Sequence, residues 1–143
     1  MPTIPKATLN DLIAKAKVVS KNAYCESSEF PVGAAVLTDT GEIYTGCNVE
    51  NASCGLTSCA ERNAIFQMVA QGGRRIRAVV IYTSTKNPAS PCGACRQVIN
   101  EFGPHARIVS VCKSQKRINT TLNKLLPHAF GPANLPNKRR KRN

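Results

Sequence analysis

No stretch of this 143-residue chain is apolar for long enough to cross a bilayer, and its first residues lack the charged-then-apolar pattern of a secretion signal. Together these set aside a membrane protein and lead to the expectation of a soluble, intracellular one. Aromatic residues make up only 5% of the chain, and they do not alternate with basic residues as in a groove for single-stranded nucleic acid. There is no internal repeat and no sign of a second domain, so a single compact domain is expected over residues 1–137. Acidic residues are few, 8 against 20 Lys and Arg, which leaves a net charge of +12. Lys138, Arg139, Arg140, Lys141 and Arg142 form one basic run, and residues 138–143 are expected to be a disordered tail. The rest stays basic through Arg74, Arg75, Arg77, Lys113, Lys116, Arg117 and Lys124. Such a balance permits nucleic-acid contact without requiring it.

What the chain does have is cysteine, seven in all, an odd number. Without a secretion signal, the Cys92-x-x-Cys95 spacing favours metal or free thiols over a disulfide framework. Cys25, Cys47, Cys54 and Cys112 stand among apolar or strand-like neighbours and read as small buried side chains.

In chain order, residues 1–6 hold two prolines and are expected to be loose. Leu9, Leu12, Ile13, Ala16 and Val19 recur at helical spacing, which predicts an amphipathic helix over Thr8 to Asn22. Ala34 to Thr38 and Glu42 to Val49, joined by the turn Asp39-Thr40-Gly41, predict an antiparallel hairpin. A loop follows from Asn51 to Thr57. A helix from Cys59 to Gln71 ends at Gly72-Gly73. Ala78 to Thr83 reads as a strand covered on both faces. After a polar loop, Pro91 opens a helix to Phe102, which Gly103-Pro104 stops. Arg107 to Cys112 is a fourth strand. The link Lys113 to Lys116 is too short for a crossover, so Arg117 to Thr120 must return antiparallel. Thr121 to Leu126 is a last short helix. The order gives the α/β class, as a three-layer α/β/α domain around a mixed five-stranded sheet.

Chemistry concentrates at Cys59-Ala60-Glu61 and Pro91-Cys92-Gly93-Ala94-Cys95. Cys92 and Cys95 are three apart and share a helix face, and Cys59 starts the other helix. Thiols at two helix N-termini are shifted toward thiolate. Three thiolates make a zinc site with a fourth position open for water. The competing reading of the CxxC is a redox or structural pair. Glu61, two residues after the first ligand, can carry protons to and from that water. Its alternative is a capping box with Ser58. Zinc with three thiolates has a formal charge of −1, which Arg62 could offset by donating to the sulfurs, unless it is simply an exposed helix arginine.

Four segments carry a resemblance: Phe30-Pro31-Val32-Gly33-Ala34-Ala35, Gly46-Cys47-Asn48-Val49-Glu50-Asn51-Ala52, Cys59-Ala60-Glu61-Arg62, and Ser90-Pro91-Cys92-Gly93-Ala94-Cys95-Arg96-Gln97. They resemble the homotetrameric zinc-dependent cytidine deaminases, as does Leu125-Leu126-Pro127-His128-Ala129-Phe130-Gly131-Pro132 near the end. The likeness runs from about Leu9 to Leu135. It implies the cytidine-deaminase-like fold, with one Zn²⁺ per subunit on Cys59, Cys92 and Cys95, and with Glu61 as proton shuttle. It also implies that Asn48 and Glu50 hold the ribose hydroxyls, Phe30 packs on the pyrimidine, and the Ala60 N–H meets the base carbonyl. Phe130 would close the pocket of a neighbouring subunit, making a homotetramer with shared active sites. The residue chemistry is compatible, since a carboxylate takes ribose donors and an aromatic face suits a flat base. The plain alternatives are core packing for Phe30 and Phe130, and a solvated strand end for Asn48 and Glu50. Two departures stand out. Cys25-Glu26-Ser27-Ser28 replaces the usual Ala-Pro-Tyr-Ser, and Cys54 stands where an aromatic is common. They bear on substrate preference and tetramer strength, and leave the zinc and the glutamate untouched.

The expected activity is hydrolytic deamination of cytidine and deoxycytidine to uridine and deoxyuridine plus ammonia, a step of pyrimidine salvage in the cytoplasm. Attack falls on C4 of the cytosine, while Glu61 protonates N3 and later the departing amine. The rivals are a cytosine deaminase acting on RNA or DNA and a non-catalytic, zinc-stabilised nucleic-acid-binding module. The tight link between the last two strands resembles the free-nucleoside branch, and Glu61 has no task in a closed structural site. The run Lys138 to Arg142 is of a length that serves nuclear targeting or weak phosphate contact with nucleic acid, as well as plain solvation.

Overall fold

The computed structural model describes residues 3–136, so the expected tail over 138–143 lies outside the described residues. The first helix, α1 (Lys6–Val19), starts two residues earlier than its periodicity indicates. Pro5 sits at its N-cap, and a 3₁₀ turn, Ser20–Asn22, completes the expected span. Leu12 and Ala16 on its inner face are fully buried. The expectation of a loose N-terminus fails at Ile4. That side chain is buried against the α1 side of the sheet, and the Thr3 carbonyl accepts a bond from Arg77 Nη2 at 2.6 Å. Burial of a large aliphatic side chain outweighs the freedom of one short segment.

The strands are β1 (Val32–Thr38), β2 (Ile43–Cys47), β3 (Ile76–Thr83), β4 (Arg107–Val111) and β5 (Arg117–Thr121). They form one sheet in the order β2-β1-β3-β4-β5. Only the β3–β4 pairing is parallel, so the sheet is mixed, and β5 returns antiparallel to β4 across the short link. Successive side chains of a strand point to opposite faces. In β1, Ala34 and Val36 therefore meet one core while Ala35 and Leu37 meet the other. In β3, Val79 and Ile81 divide from Ala78, Val80 and Tyr82 in the same way. Helix α1 covers the second face. The first face is covered by α2 (Ala60–Ala70), α3 (Gly93–Phe102) and the short α4 (Leu122–Leu125), giving three layers.

Gly46 sets how closely α2 approaches β2. A Cβ there would fall onto the Ala64 nitrogen and the Ala60 carbonyl oxygen, so only glycine lets the first turns of α2 lie on the strand. Cys112 is buried as expected, and Cys25 and Cys47 are half-buried. Cys54 is exposed, against expectation, because it starts a 3₁₀ turn, Cys54–Leu56, that projects from the loop before α2. No helix among the described residues is long and apolar enough to cross a membrane.

Candidate active site

Both cysteine motifs fold into helix N-termini. Cys59 is the N-cap of α2 and Cys92 the N-cap of α3, each with extended backbone. The Cys92 sulfur accepts from the Cys95 N–H at 3.5 Å, filling the place usually taken by a serine or aspartate oxygen. The two helices bring Cys59 Sγ and Cys92 Sγ to 3.8 Å, and the three sulfurs of Cys59, Cys92 and Cys95 lie within 4.8 Å of one another. Tetrahedral sulfur ligands about 2.3 Å from one zinc ion stand roughly 3.8 Å apart, so the donor set and its spacing both fit the ion.

The electrostatics favour cation binding. A hydrogen bond from the Cys95 thiol, assisted by Arg62 and Cys92, brings Cys59 down to about 5, against the opposing effect of partial burial. Cys95 is pushed up by the same shared proton, by burial and by the nearby Glu61. A cation between the sulfurs would take the place of that proton. Arg62 supplies one positive charge here. Its Nη2 donates to Cys59 Sγ at 3.6 Å and to the Thr57 carbonyl at 3.1 Å, so it is not a free surface arginine. Its buried Nε has no partner among the described residues.

Glu61 sits at the second position of α2 and is only 4% exposed. Burial pushes its carboxyl up, and the adjacent Cys59 adds to the shift. It does not close a capping box. The N-cap of α2 is Cys59, one residue later than that motif needs, and Ser58 instead gives its hydroxyl to Asn63 Oδ1 at 2.7 Å.

A cavity of about 290 Å³ opens over this corner at the C-terminal end of β3. Phe30, Asn48, Glu50, Cys59, Ala60, Glu61 and Cys92 all line it. Asn48 is buried, and its amide is bonded on both sides to the backbone of residues 30 and 32. Glu50 Oε2 accepts from the N–H groups of Ser27 and Ser28. Phe30 is 36% exposed and Phe130 61% exposed, so neither is simple core. Phe130 does not reach its own chain's cavity. Its carbonyl is held on α3 by Gln97 Nε2 at 2.8 Å and Asn100 Nδ2 at 3.3 Å.

Residue spacing alone missed two contributors. Ser28 lines the cavity in the turn before Phe30. Arg96 donates from Nε to the Pro91 carbonyl, from Nη1 to the Leu125 carbonyl and from Nη2 to Ser90 Oγ, fixing the chain that leads into Cys92. The only sequence signal for Arg96 is its place inside a motif that carries the resemblance, and Ser28 lies in the stretch that departs from it.

Residues 6–112 match the family model described as the cytidine and deoxycytidylate deaminase zinc-binding region. A cytidine deaminase of Sporosarcina psychrophila is 46% identical over 125 residues, 87% of this chain and 92% of that protein. One from Mycobacterium tuberculosis is 39% identical over 137 residues, 96% of this chain and all of that protein. Among solved structures, a cytidine deaminase from Burkholderia pseudomallei superposes with a TM-score of 0.81 at 44% identity, covering 85% of this chain and 98% of that one. With the three-layer mixed sheet and a three-sulfur site at paired helix N-termini, this chain belongs to the cytidine and deoxycytidylate deaminase family, and zinc is its cofactor.

Proposed function

We propose that this protein hydrolytically deaminates cytidine and deoxycytidine, giving uridine or deoxyuridine and ammonia. The observation that carries the reading is Glu61, a carboxyl buried beside three convergent thiols on the wall of a cavity of about 290 Å³. That volume lies near the small end of the range of ligand pockets, about 300–1,000 Å³, and suits one nucleoside rather than a strand of them.

Zinc on Cys59, Cys92 and Cys95, when bound, supplies a Lewis acid that lowers the pKa of water at the open position. Glu61 then ferries both protons of that water. One goes to N3 of the cytosine as oxygen adds at C4. The other goes to the exocyclic amine, which leaves as ammonia when the C4–N bond breaks. Burial pushes the Glu61 carboxyl up, the direction that suits a group which takes a proton and gives it back. Arg62 offsets the surplus negative charge of the three thiolates through Cys59. The Ala60 N–H faces the base carbonyl and Phe30 packs on the ring. Asn48 offers its remaining amide hydrogen, and Glu50 its carboxylate, to the sugar hydroxyls.

The assembly belongs to the same reading: a homotetramer in which Phe130 of one subunit closes the cavity of the next. Support comes from the exposure of Phe130 away from its own cavity, and from Val18, Leu56 and Phe66, which are also more than half exposed. We place the activity in the cytoplasm, a reducing compartment that suits seven free cysteines. Contact of the run Lys138–Arg142 with nucleic acid would be weak and salt-sensitive, because it rests on charge alone.

Ammonia release from cytidine, deoxycytidine and a cytosine-containing oligonucleotide, measured side by side, tests the reading. Turnover of both nucleosides without the oligonucleotide is expected. Turnover of the oligonucleotide alone would overturn it in favour of a polynucleotide deaminase, and no ammonia from any of the three in zinc-loaded protein would overturn catalysis itself.

A further inference from the structure

After α4 the chain from Pro127 to Phe130 has little of its own to hold it. The Leu126 N–H closes the last turn on the Leu122 carbonyl, and the Leu125 carbonyl takes a bond from Arg96 Nη1. Beyond these, the next hydrogen bonds among the described residues fall on the Phe130 carbonyl. His128, inside this stretch, takes the left-handed conformation at φ 54°, which a residue other than glycine rarely adopts unless its surroundings fix it.

What holds the segment is α3. Gln97 and Asn100 are three apart, share one face of that helix and form a fork of two amide donors on one oxygen. Gln97 Nε2 donates at 2.8 Å and Asn100 Nδ2 at 3.3 Å, and a carbonyl with two lone pairs can take both. An added Cβ at Gly131 would come within 3.0 Å of Asn100 Nδ2, so the chain lies directly on that amide. With the backbone pinned at its carbonyl, the Phe130 ring stands exposed, outside its own cavity.

We propose that Gln97 and Asn100 are positioning residues for the cavity of the neighbouring subunit, which they serve by clamping the Phe130 carbonyl. This rests on the reading that Phe130 closes that cavity. A segment already ordered before substrate arrives loses less freedom when the site closes, so the effect falls on binding rather than on the chemical step. Gln97 stands two residues after Cys95, so a defect in it would ordinarily be sought in its own zinc site. The clamp carries that defect to the next subunit instead.

The test uses Gln97, which is exposed, because removing the buried Asn100 endangers the fold. Gln97→Glu sets a carboxylate against the Phe130 carbonyl, Gln97→Ala removes the donor, and Gln97→Lys keeps a donor of similar reach. In zinc-loaded protein, KM for cytidine should rise about tenfold in Gln97→Glu and about threefold in Gln97→Ala, the range of one hydrogen bond, with kcat within about twofold. Gln97→Lys should stay near wild type, and Gln97→Glu/Phe130→Ala should be no worse than Phe130→Ala. The deciding measurement mixes Gln97→Glu with an excess of Glu61→Gln subunits. Each active site then takes Glu61 from a Gln97→Glu chain and, in most cases, Phe130 from a chain with intact Gln97, so KM should return to the wild-type value. If KM stays high while Phe130→Ala, mixed in the same way, recovers, Gln97 acts within its own subunit and the proposal falls. It also falls if Gln97→Glu leaves KM unchanged or lowers the zinc content. If Phe130→Ala does not recover either, the reading that Phe130 serves a neighbour is overturned, and the proposal with it.

Discussion

The side-chain amide of Asn48 is bonded to the backbone of Phe30. Its Nδ2 donates to the Phe30 carbonyl at 3.0 Å, while its Oδ1 accepts from the next N–H along the chain, that of Val32, at 2.8 Å. Asn48 is thereby the strut that sets the entry of β1 beside the end of β2, whatever it also offers to substrate. Replacing it by alanine leaves the buried Val32 N–H without this partner, at roughly 1–3 kcal/mol, and frees the part-buried Phe30 carbonyl at less cost. Asn48→Ala should therefore melt several degrees below wild type and also show a raised KM, since Phe30 loses its anchor. A melting curve and a cytidine titration check both. An unchanged melting temperature would mean that water replaces the amide at no cost.

Glu61→Gln keeps the shape of the buried carboxyl and cannot ferry a proton. It should bind zinc normally and lose about 10²–10⁴-fold in kcat, or more, because in the proposed mechanism one residue serves two proton deliveries. Metal analysis beside steady-state kinetics decides it. Near-wild-type turnover of the pure variant would remove Glu61 from the mechanism.

Cys92→Ala removes one of three sulfurs and the group that caps α3, where Cys92 Sγ receives the Cys95 N–H. It should lose its zinc, and with it much of its thermal stability, because metal affinity in such sites is coupled to folding. Zinc content and a melting curve with and without a chelator measure both. If the chelator lowers the wild-type melting temperature to that of Cys92→Ala, the loss comes from the metal rather than from the missing cap.

If Phe130 serves a neighbouring subunit, Phe130→Ala should raise KM at unchanged zinc content. Mixed assemblies of Phe130→Ala with Glu61→Gln subunits should then recover activity, because some sites receive an intact Glu61 from one chain and an intact Phe130 from another. Recovery in re-assembled mixtures, against no recovery in unmixed controls, is the expected result. Its absence in well-mixed assemblies would leave Phe130 to its own chain.

Much of the fold is legible in local sequence. The unbroken apolar run from Ala78 to Tyr82 anticipates a strand covered on both faces, because a strand sends neighbouring side chains to opposite sides and both must be buried. The four-residue link Lys113 to Lys116 forces β5 to return antiparallel, because no crossover fits in that length. Elsewhere local cues mislead. Ile4 looks like part of a loose end because prolines flank it, yet a core within reach buries it. Cys54 has apolar neighbours in sequence, but its turn carries it outward.

The sequence by itself determined the residue types and their short spacings: a CxxC, a Cys-Ala-Glu triplet, two helix starts and the link lengths that fix strand direction. These depend on geometry within one or two turns of chain, where few arrangements are allowed. Only the tertiary structure decided that Cys59 and Cys92, 33 residues apart, stand 3.8 Å from each other. The same holds for Ser28 and Glu50, 22 residues apart, which share a hydrogen-bonded turn, and for Phe130, which stands outside its own cavity. Such distances follow from how α2 and α3 pack on the sheet, with Gly46 setting the approach of α2. Packing depends on the fit of many side chains at once, so no short stretch of sequence carries it.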